Sequence, residues 1–142
     1  CSAAAWLISP IRLRIVSLIR AIDAGELDLP GRKPDYLRAV AEAALTGLLN
    51  GPRLRTTPEE SARRELLTVT GIGPFAADLV LIRGANAQDV LPRAERRLYA
   101  EISYQYGPES LLEEVAERWH PFRSWAAVHL RALREQRTRE MS

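Results

Sequence analysis

Cysteine is scarce in this sequence, and that scarcity limits the chemistry the chain can perform. Cys1 is the single cysteine. A disulfide within the chain is therefore excluded, and so is a zinc or iron–sulfur site built from several thiolates. Because such a composition suits a reducing compartment, we expect an intracellular protein.

Long apolar runs and a recognisable leader are also missing. The apolar stretch from Ala3 to Ile8 is short, has no basic residues before it and is interrupted by Ser9-Pro10. No run approaches the length that a membrane-spanning helix needs, so we expect no membrane partner and no signal peptide. Since the sequence starts at Cys1 rather than at Met, we expect a fragment or a processed product.

Aromatic residues and net charge are low as well. The chain has 142 residues, 6% aromatic and 46% hydrophobic content, and a formal net charge of +2. This suits one domain with an aliphatic core. Lys33 is the single lysine, so nearly all the basic residues are arginines. Arginine binds phosphate with two parallel hydrogen bonds, but a GC-rich genome also favours arginine, and we assign most of the excess to composition.

The hydrophobic pattern predicts an all-α fold. Apolar residues recur at helical spacing, and Gly and Pro residues separate the segments. Ser9 before Pro10 suggests an N-cap at the start of the first helix. Thr57 and Glu60 around Pro58 suggest a capping box at another helix start. The predicted helices run over about 10–24, 35–46, 58–69, 74–84, 94–106, 111–119 and 124–137, with a polar, frayed tail from Thr138.

The last predicted helix carries an apolar stripe. Trp125, Val128, Leu130 and Leu133 recur at the spacing of one helical face. We therefore expect these side chains to point inward.

The most informative local feature is a turn between two predicted helices. Gly71-Ile72-Gly73 ends one helix, and Pro74 opens the next. Glycines allow positive φ and close approach of a phosphate, and the amides of a helix N-terminus favour an anion. Ile72 can anchor the turn in the core. The pattern indicates a sequence-independent clamp on the DNA backbone; an ordinary helix–helix turn is the alternative.

Further segments extend this pattern in a fixed order. These segments are GRKPDYLR (31–38), LTVTGIGPFAAD (67–78), which contains the hairpin, DVLPRAERRL (89–98) and WHPFRSWAA (119–127). Together they resemble the helix-hairpin-helix (HhH-GPD) DNA glycosylase superfamily, most closely its alkylated-base, or 3-methyladenine, branch.

The resemblance covers residues 31–142 as a glycosylase domain with closing C-terminal helices, whereas the helical segment 1–30 matches weakly. Members of the family have a two-lobed helical body with the lesion pocket between the lobes. Because they usually carry more N-terminal helices, we expect part of the first lobe to be missing and the two-lobed body to be partial.

The resemblance also implies a catalytic carboxylate. In the family this group is an Asp, three residues after a proline and at the start of a helix. Counting from Pro92 gives Glu95, which keeps the charge and adds a methylene. Such a carboxylate stabilises the oxocarbenium-like sugar during base removal. The alternative is a solvated residue at a helix start, paired with a neighbouring arginine.

Other residue roles follow from the same resemblance. Phe75 occupies the place of the lysine used by bifunctional members, which implies a monofunctional enzyme. Tyr99 and Trp125 are candidates to stack on a flipped base, with a core position as the alternative. The candidate DNA-binding residues are Thr70, Gly71, Ile72, Gly73, Pro74, Ala76, Arg93 and Arg96.

These observations predict a monofunctional DNA glycosylase that hydrolyses the N-glycosidic bond of alkylated bases in base excision repair. Its partner is double-stranded DNA with damaged bases, with no obligate protein partner. We expect no metal and no cofactor, apart from a structural monovalent cation at the hairpin. The resemblance implies a bacterial, cytoplasmic protein at the nucleoid. The alternatives are a DNA-binding module with impaired catalysis and a truncated remnant of such an enzyme.

Overall fold

The computed structural model describes residues 10–141, which form helices and turns without any strand. The prediction of an all-α fold is confirmed for this part of the chain. The helices are α1 (Pro10–Asp23), α2 (Lys33–Leu45), α3 (Gly51–Thr56), α4 (Glu59–Leu67), α5 (Pro74–Leu79), α6 (Arg96–Tyr106), α7 (Leu112–Ala116) and α8 (Arg123–Glu140). A π-helical turn, Val80–Gly84, continues α5, and a 3-10 turn, Glu117–Trp119, continues α7.

The first helix begins at Pro10, as the sequence predicts, although Ser9, its predicted cap, lies outside the described residues. Gly25 follows the helix with φ +68°, a left-handed conformation that favours glycine at a helix end. α1 packs against α2, and no residue of α1 is fully buried.

The region between α2 and α4 differs from the prediction. A short helix, α3, begins directly after Asn50, whose side chain accepts a hydrogen bond of 2.9 Å from the backbone N–H of Arg53. The predicted capping box is wrong. Pro58 stands at the N-cap position of α4, and the Thr57 hydroxyl instead donates to the carbonyl of Arg53 at 2.8 Å. Thr57 therefore ends α3.

The core has two parts that meet at Val90 and Leu91. The first lies under α2 to α5, the π-helical turn and the loop that follows it. The second is formed by α6, α7 and α8 around Leu98, Ile102 and Leu112. The hairpin between α4 and α5 thus belongs to the first cluster, whereas the helix that follows Glu95 belongs to the second.

The inward face of α8 also differs from the prediction. Trp125 is 55% exposed, and Val128 and Leu133 are each 37% exposed. The buried residues of this helix are Ser124 and Ala127. These small side chains let α8 approach the rest of the molecule closely. Leu130 is partly buried against the second part of the core, as predicted, whereas the other three apolar residues of the stripe are exposed.

The C-terminal end of α8 is longer than predicted. The helix continues to Glu140, so Thr138 is helical rather than the start of a frayed tail. The Thr138 hydroxyl donates to the carbonyl of Arg134 at 3.0 Å, which is a common helical contact of threonine.

Candidate functional site

The hairpin joins α4 to α5 through residues 68–73, and one glycine in it is required by geometry. Gly71 has φ +96°, and a Cβ added there would lie 2.7 Å from Cβ of Tyr36 on α2. A side chain at this position would be strained and would collide with the helix behind the turn. Gly71 therefore fixes the hairpin against α2.

The second glycine of the hairpin has a different environment. Gly73 has φ −90° and ψ 179°, and no atom lies within 4 Å of an added Cβ. The expectation of positive φ thus holds for Gly71 and not for Gly73. Thr70 and Pro74 beside it are exposed, whereas Ile72 is only 9% exposed and anchors the turn in the core.

The amides that follow the turn form the outer end of α5. Pro74 has no N–H, so Phe75 and Ala76 supply the first amides of this helix, and helix geometry leaves such N–H groups without partners inside the helix. Ala76 is half-buried and Phe75 is 44% exposed. The hairpin thus presents a polypeptide surface with few side chains and with polar backbone groups.

Glu95 stands at the N-cap of α6. The helix begins at Arg96, not at Ala94 as the sequence predicted. The Glu95 carboxylate accepts a hydrogen bond of 3.2 Å from the backbone N–H of Arg97, and the residue is only 9% exposed. Capping a helix with a carboxylate satisfies its N-terminal amides and fixes the orientation of the side chain.

A small cavity of about 30 Å³ lies directly beside Glu95. Its wall joins the hairpin helix to α8, because Phe75 from α5 and Arg131 from α8 both line it. The lining residues are Phe75, Asp78, Leu79, Ile82, Arg83, Pro92, Glu95, Ala127, Val128 and Arg131. The structure therefore places Glu95 and the hairpin helix at one shared depression.

Arg131 is the cation nearest to this carboxylate. Its Nη1 lies 3.6 Å from Oε2 of Glu95, and its Nε lies 3.3 Å from Oε1 of Glu135 one turn along α8. The first distance exceeds that of a hydrogen bond, and Nε is buried without a hydrogen-bond partner. The guanidinium is therefore held by charge rather than by directed bonds.

A buried ion pair supports the turn that leads into Glu95. Arg63 on α4 pairs with Asp78 on α5, which is 2% exposed. Asp78 Oδ2 also accepts from the backbone N–H of Ala94 at 3.3 Å, and Arg63 Nη2 donates to the carbonyl of Leu91 at 3.2 Å. The hairpin helices thus hold both ends of the turn that precedes Glu95.

A second polar network ties α8 to the hairpin. Arg123 Nε donates to Asp89 at 2.9 Å, and its Nη2 reaches Glu59 at 3.2 Å; His120 Nδ1 lies 2.8 Å from Asp89. Burial of Asp89 acts to raise its pKa, but hydrogen bonds from the Arg123 side chain and backbone and from His120 together lower the pKa below its usual value. Asp89 thus stays charged and holds α8 in place.

The predicted phosphate-binding arginines have different environments. Arg93 is 43% exposed and contacts Glu59 at 3.3 Å and Glu60 at 3.4 Å. These carboxylates offset its charge. Arg96 is exposed in the first turn of α6, directly after Glu95. Arg96 is therefore better placed to meet a phosphate near the carboxylate.

The two aromatic residues predicted for a base pocket do not line this cavity. Trp125 stacks on Phe122 with ring centroids 5.3 Å apart, on the surface of α8. Tyr99 is 38% exposed, and its hydroxyl donates to Glu113 at 3.3 Å. Burial first and the nearby Glu113 charge second raise the pKa of Tyr99 above its usual value.

Known proteins resemble this chain over much of its length. DNA-3-methyladenine glycosylase 2 of Escherichia coli (strain K12) is 31% identical over 104 residues, which are 73% of this chain and 36% of that protein. The "Probable bifunctional transcriptional activator/DNA repair enzyme AlkA" of Mycobacterium tuberculosis (strain ATCC 25618 / H37Rv) is 33% identical over 73 residues, 50% of this chain and 15% of that protein.

The chain is thus similar to relatives named as DNA-3-methyladenine glycosylases, which supports its resemblance to the alkylated-base branch of the helix-hairpin-helix DNA glycosylases.

A third relative is the "Putative DNA-3-methyladenine glycosylase YfjP" of Bacillus subtilis (strain 168). It is 23% identical over 113 residues, 76% of this chain and 39% of that protein. The chain thus spans less than two fifths of the length of each of these relatives. No family profile matches the chain, and no solved structure matches it significantly.

Among residues 10–141, no helix is long and apolar enough to cross a bilayer. The same residues contain no group of three or more His, Cys, Asp or Glu side chains that could hold a metal ion. The monovalent cation at the hairpin stays a prediction.

The candidate site contains residues that the sequence did not single out. Asp78 carries a charge within an otherwise apolar helix, and this was a signal that it is paired. Arg131 follows the buried Ala127 by one helical turn, so the two share a face of α8. The sequence did not indicate this face as the inward one, because the apolar stripe through Trp125 suggested a different inward face.

Proposed function

We propose that this chain carries the catalytic region of a monofunctional DNA glycosylase that hydrolyses the N-glycosidic bond of alkylated bases, of the 3-methyladenine type, in base excision repair. The observation that carries the proposal is the position of Glu95. Its carboxylate is fixed at the N-terminus of α6 beside a cavity that the hairpin helix also lines. The site therefore combines a carboxylate with a DNA-backbone clamp.

In this proposal the hairpin grips one DNA strand. The open space around Gly73 lets a phosphate approach the backbone, and the amides of Phe75 and Ala76 donate to its oxygens. Arg96, exposed beside Glu95, supplies a cation to a phosphate near the damaged nucleotide. Because Ile72 and Gly71 anchor the turn in the protein, the clamp is rigid before DNA arrives.

The chemistry that Glu95 supplies is electrostatic. The damaged nucleotide is flipped out of the helix, and the bond from C1′ to the base nitrogen breaks with its electron pair moving to the base. An N-alkylated purine is cationic, so it leaves as a neutral molecule. The carboxylate stabilises the positive charge that develops on the sugar. A water oxygen then bonds to C1′, and the proton it loses passes to Glu95 and on to solvent.

Phe75 determines the reaction type in this proposal. The side chain at this position lines the cavity and carries no amine. A covalent Schiff base with the sugar cannot form through this residue, so the backbone is not cleaved by that route. The product is DNA with an intact backbone and an abasic site.

The test is single-turnover base release with excess protein and duplex DNA that contains one alkylated purine. The proteins are the unmodified chain, Glu95→Gln and Glu95→Asp. We expect measurable release with the unmodified chain and a loss of at least about a hundredfold in Glu95→Gln, because the neutral amide cannot stabilise the developing cation. Glu95→Asp keeps the charge and tests whether reach limits the rate.

Glu113→Gln is the matched control. This glutamate is exposed on α7 and contacts Tyr99, away from the cavity. Release that is unchanged in Glu113→Gln and lost in Glu95→Gln supports the proposal. Equal release from Glu95→Gln and the unmodified chain would overturn it.

The second candidate is a DNA-binding module with impaired catalysis. The contact between Arg131 and Glu95 favours it, because a nearby cation offsets the charge that catalysis needs. In that case none of the three proteins releases a base, yet duplex binding falls steeply with salt and weakens in Gly73→Ala. Release of a base by the unmodified chain excludes this candidate.

A further inference from the structure

Arg131 lines the cavity beside Glu95, where the proposed function places the damaged base. The cavity is small, at about 30 Å³, so a base in it lies against the side chains of its wall. Arg131 is long, lies 26% exposed at the edge of the cavity and has no directed hydrogen bond to Glu95. Its side chain can therefore change position as a base enters.

Arg131 also sets the charge of the cavity. The charged residues among its walls are Asp78, Glu95, Arg83 and Arg131. The charge of Asp78 is already matched by Arg63 behind the wall. Glu95 therefore faces Arg131 at 3.6 Å, with Arg83 as a further exposed cation. Around the carboxylate, the cavity is neutral to positive rather than negative.

Arg131 has a second carboxylate partner outside the cavity. Its Nε lies 3.3 Å from Glu135, which is 38% exposed one turn further along the same helix. Moving the guanidinium outward would give up the contact with Glu95 and keep the one with Glu135, which also pairs with Arg97 at 3.2 Å. The movement opens the cavity and leaves Glu95 facing the entering nucleotide.

We infer that Arg131 is a specificity-determining residue that reduces the preference of the site for cationic N-alkylated bases over neutral damaged bases. The inference rests on the proposed function. A cationic base must enter beside a guanidinium of like charge, or displace it completely. A neutral base can share the site with Arg131 and loses nothing through charge repulsion.

The leaving group gives the same preference. When the bond from C1′ to a neutral base breaks, the electron pair moves to the base nitrogen and the base departs as an anion. The N–H groups of Arg131 stabilise that anion until the base takes up a proton, which the attacking water supplies through Glu95 or solvent. A cationic base departs neutral and gains nothing from this contact.

The first test measures binding and needs no catalysis. The probes are two duplexes, one with a pyrrolidine nucleotide that carries a positive charge at the sugar position and one with a neutral tetrahydrofuran nucleotide. The unmodified chain should discriminate weakly between them, because Arg131 offsets Glu95. Arg131→Gln should favour the pyrrolidine duplex by about tenfold more, because the carboxylate is then unopposed. Arg131→Lys keeps the charge and should stay close to the unmodified chain.

Arg139→Gln is the matched control. It removes the same charge from the same helix, at an exposed position about two turns away that does not line the cavity. An equal shift in Arg139→Gln and Arg131→Gln would show a general charge effect and overturn the inference. So would an unchanged pyrrolidine preference in a folded Arg131→Gln protein, judged by circular dichroism.

The second test compares single-turnover release of 7-methylguanine, which is cationic, with release of hypoxanthine, which is neutral. In Arg131→Gln the ratio of the first rate to the second should rise by at least about tenfold. An unchanged ratio overturns the inference while the proposed function stands. Absence of release from both duplexes in every protein, with the pyrrolidine shift present, overturns the proposed function and supports the charge role of Arg131.

Discussion

The two hairpin glycines provide a sharp test of how the clamp is built, because the same substitution should act in opposite ways at the two positions. At Gly71 the backbone has φ +96°, and an added Cβ would lie 2.7 Å from Cβ and 2.9 Å from Cγ of Tyr36. At Gly73 the backbone has φ −90°, and an added Cβ meets no atom within 4 Å.

The expected magnitudes follow from these numbers. An L-residue in the left-handed region costs about 1–2 kcal/mol, and the contact with Tyr36 requires α2 or the turn to shift. Alanine in place of glycine lowers the entropy of the unfolded chain, which stabilises by about 0.4–1 kcal/mol. We therefore expect Gly71→Ala to lower the free energy of unfolding by about 2 kcal/mol, whereas Gly73→Ala should leave it unchanged or raise it slightly.

The assay is urea unfolding followed by far-ultraviolet circular dichroism, combined with duplex binding at fixed salt. Gly73→Ala should unfold like the unmodified chain and yet bind duplex DNA more weakly, because its methyl group occupies the space that the phosphate needs. A Gly71→Ala protein as stable as the unmodified chain would refute the reasoning about the turn. A Gly73→Ala protein with unchanged DNA affinity would refute the proposed contact.

Further predictions concern the core, the surface and the charged groups. Glu101 is fully buried, and its pKa is lowered, chiefly by the hydrogen bond from the Arg137 side chain. The contribution of the Glu101 charge to stability is therefore present above the unfolded pKa and lost as pH falls through the folded pKa. Glu101→Gln should cost about 2 kcal/mol at neutral pH, because it weakens hydrogen bonds between charged groups, and it should flatten the acid side of a stability-against-pH curve. Trp125→Ala should cost less than about 1 kcal/mol because the ring is 55% exposed, whereas Leu112→Ala, at 0% exposure, should cost about 2–5 kcal/mol in the same urea experiment. Arg96→Gln should reduce the slope of log affinity against log salt by about one for duplex binding; an unchanged slope would remove Arg96 from the interface.

Much of the fold could be predicted because its signals are local. Pro10 and Pro74 mark helix starts, and Gly25 and Gly71 mark chain reversals that need positive φ. Each of these residues acts on its own few neighbours, so its effect can be inferred without knowing what packs around it. The burial of Ile72 was also predictable, since it is the single large apolar side chain between the two glycines of the turn.

The predictions that were wrong failed because of contacts between residues far apart in the sequence. Thr57 lies next to a proline and looks like a cap, but the preceding helix α3 takes its hydroxyl instead. The exposure of Trp125 follows from the close approach of Ser124 to the loop at Val90, where its hydroxyl accepts from the backbone N–H at 2.9 Å. Such contacts join residues far apart in the sequence, and periodicity within one helix carries no information about them.

The candidate site divides in the same way. Glu95 was found from its spacing to Pro92 and from the family resemblance, both of which are local in sequence. Its partner Arg131 lies on another helix, and only the packing of α8 against α6 brings the two together. The charge around the carboxylate, and hence its preference among bases, could therefore not be predicted from the sequence.

Single-turnover release of an alkylated purine from duplex DNA, compared between the unmodified chain and Glu95→Gln, tests whether Glu95 acts in base removal. We predict release that depends on the carboxylate, with a loss of at least about a hundredfold in the amide variant. Release that is equal in the two folded proteins would contradict it, because the base would then be removed without the charge that Glu95 supplies.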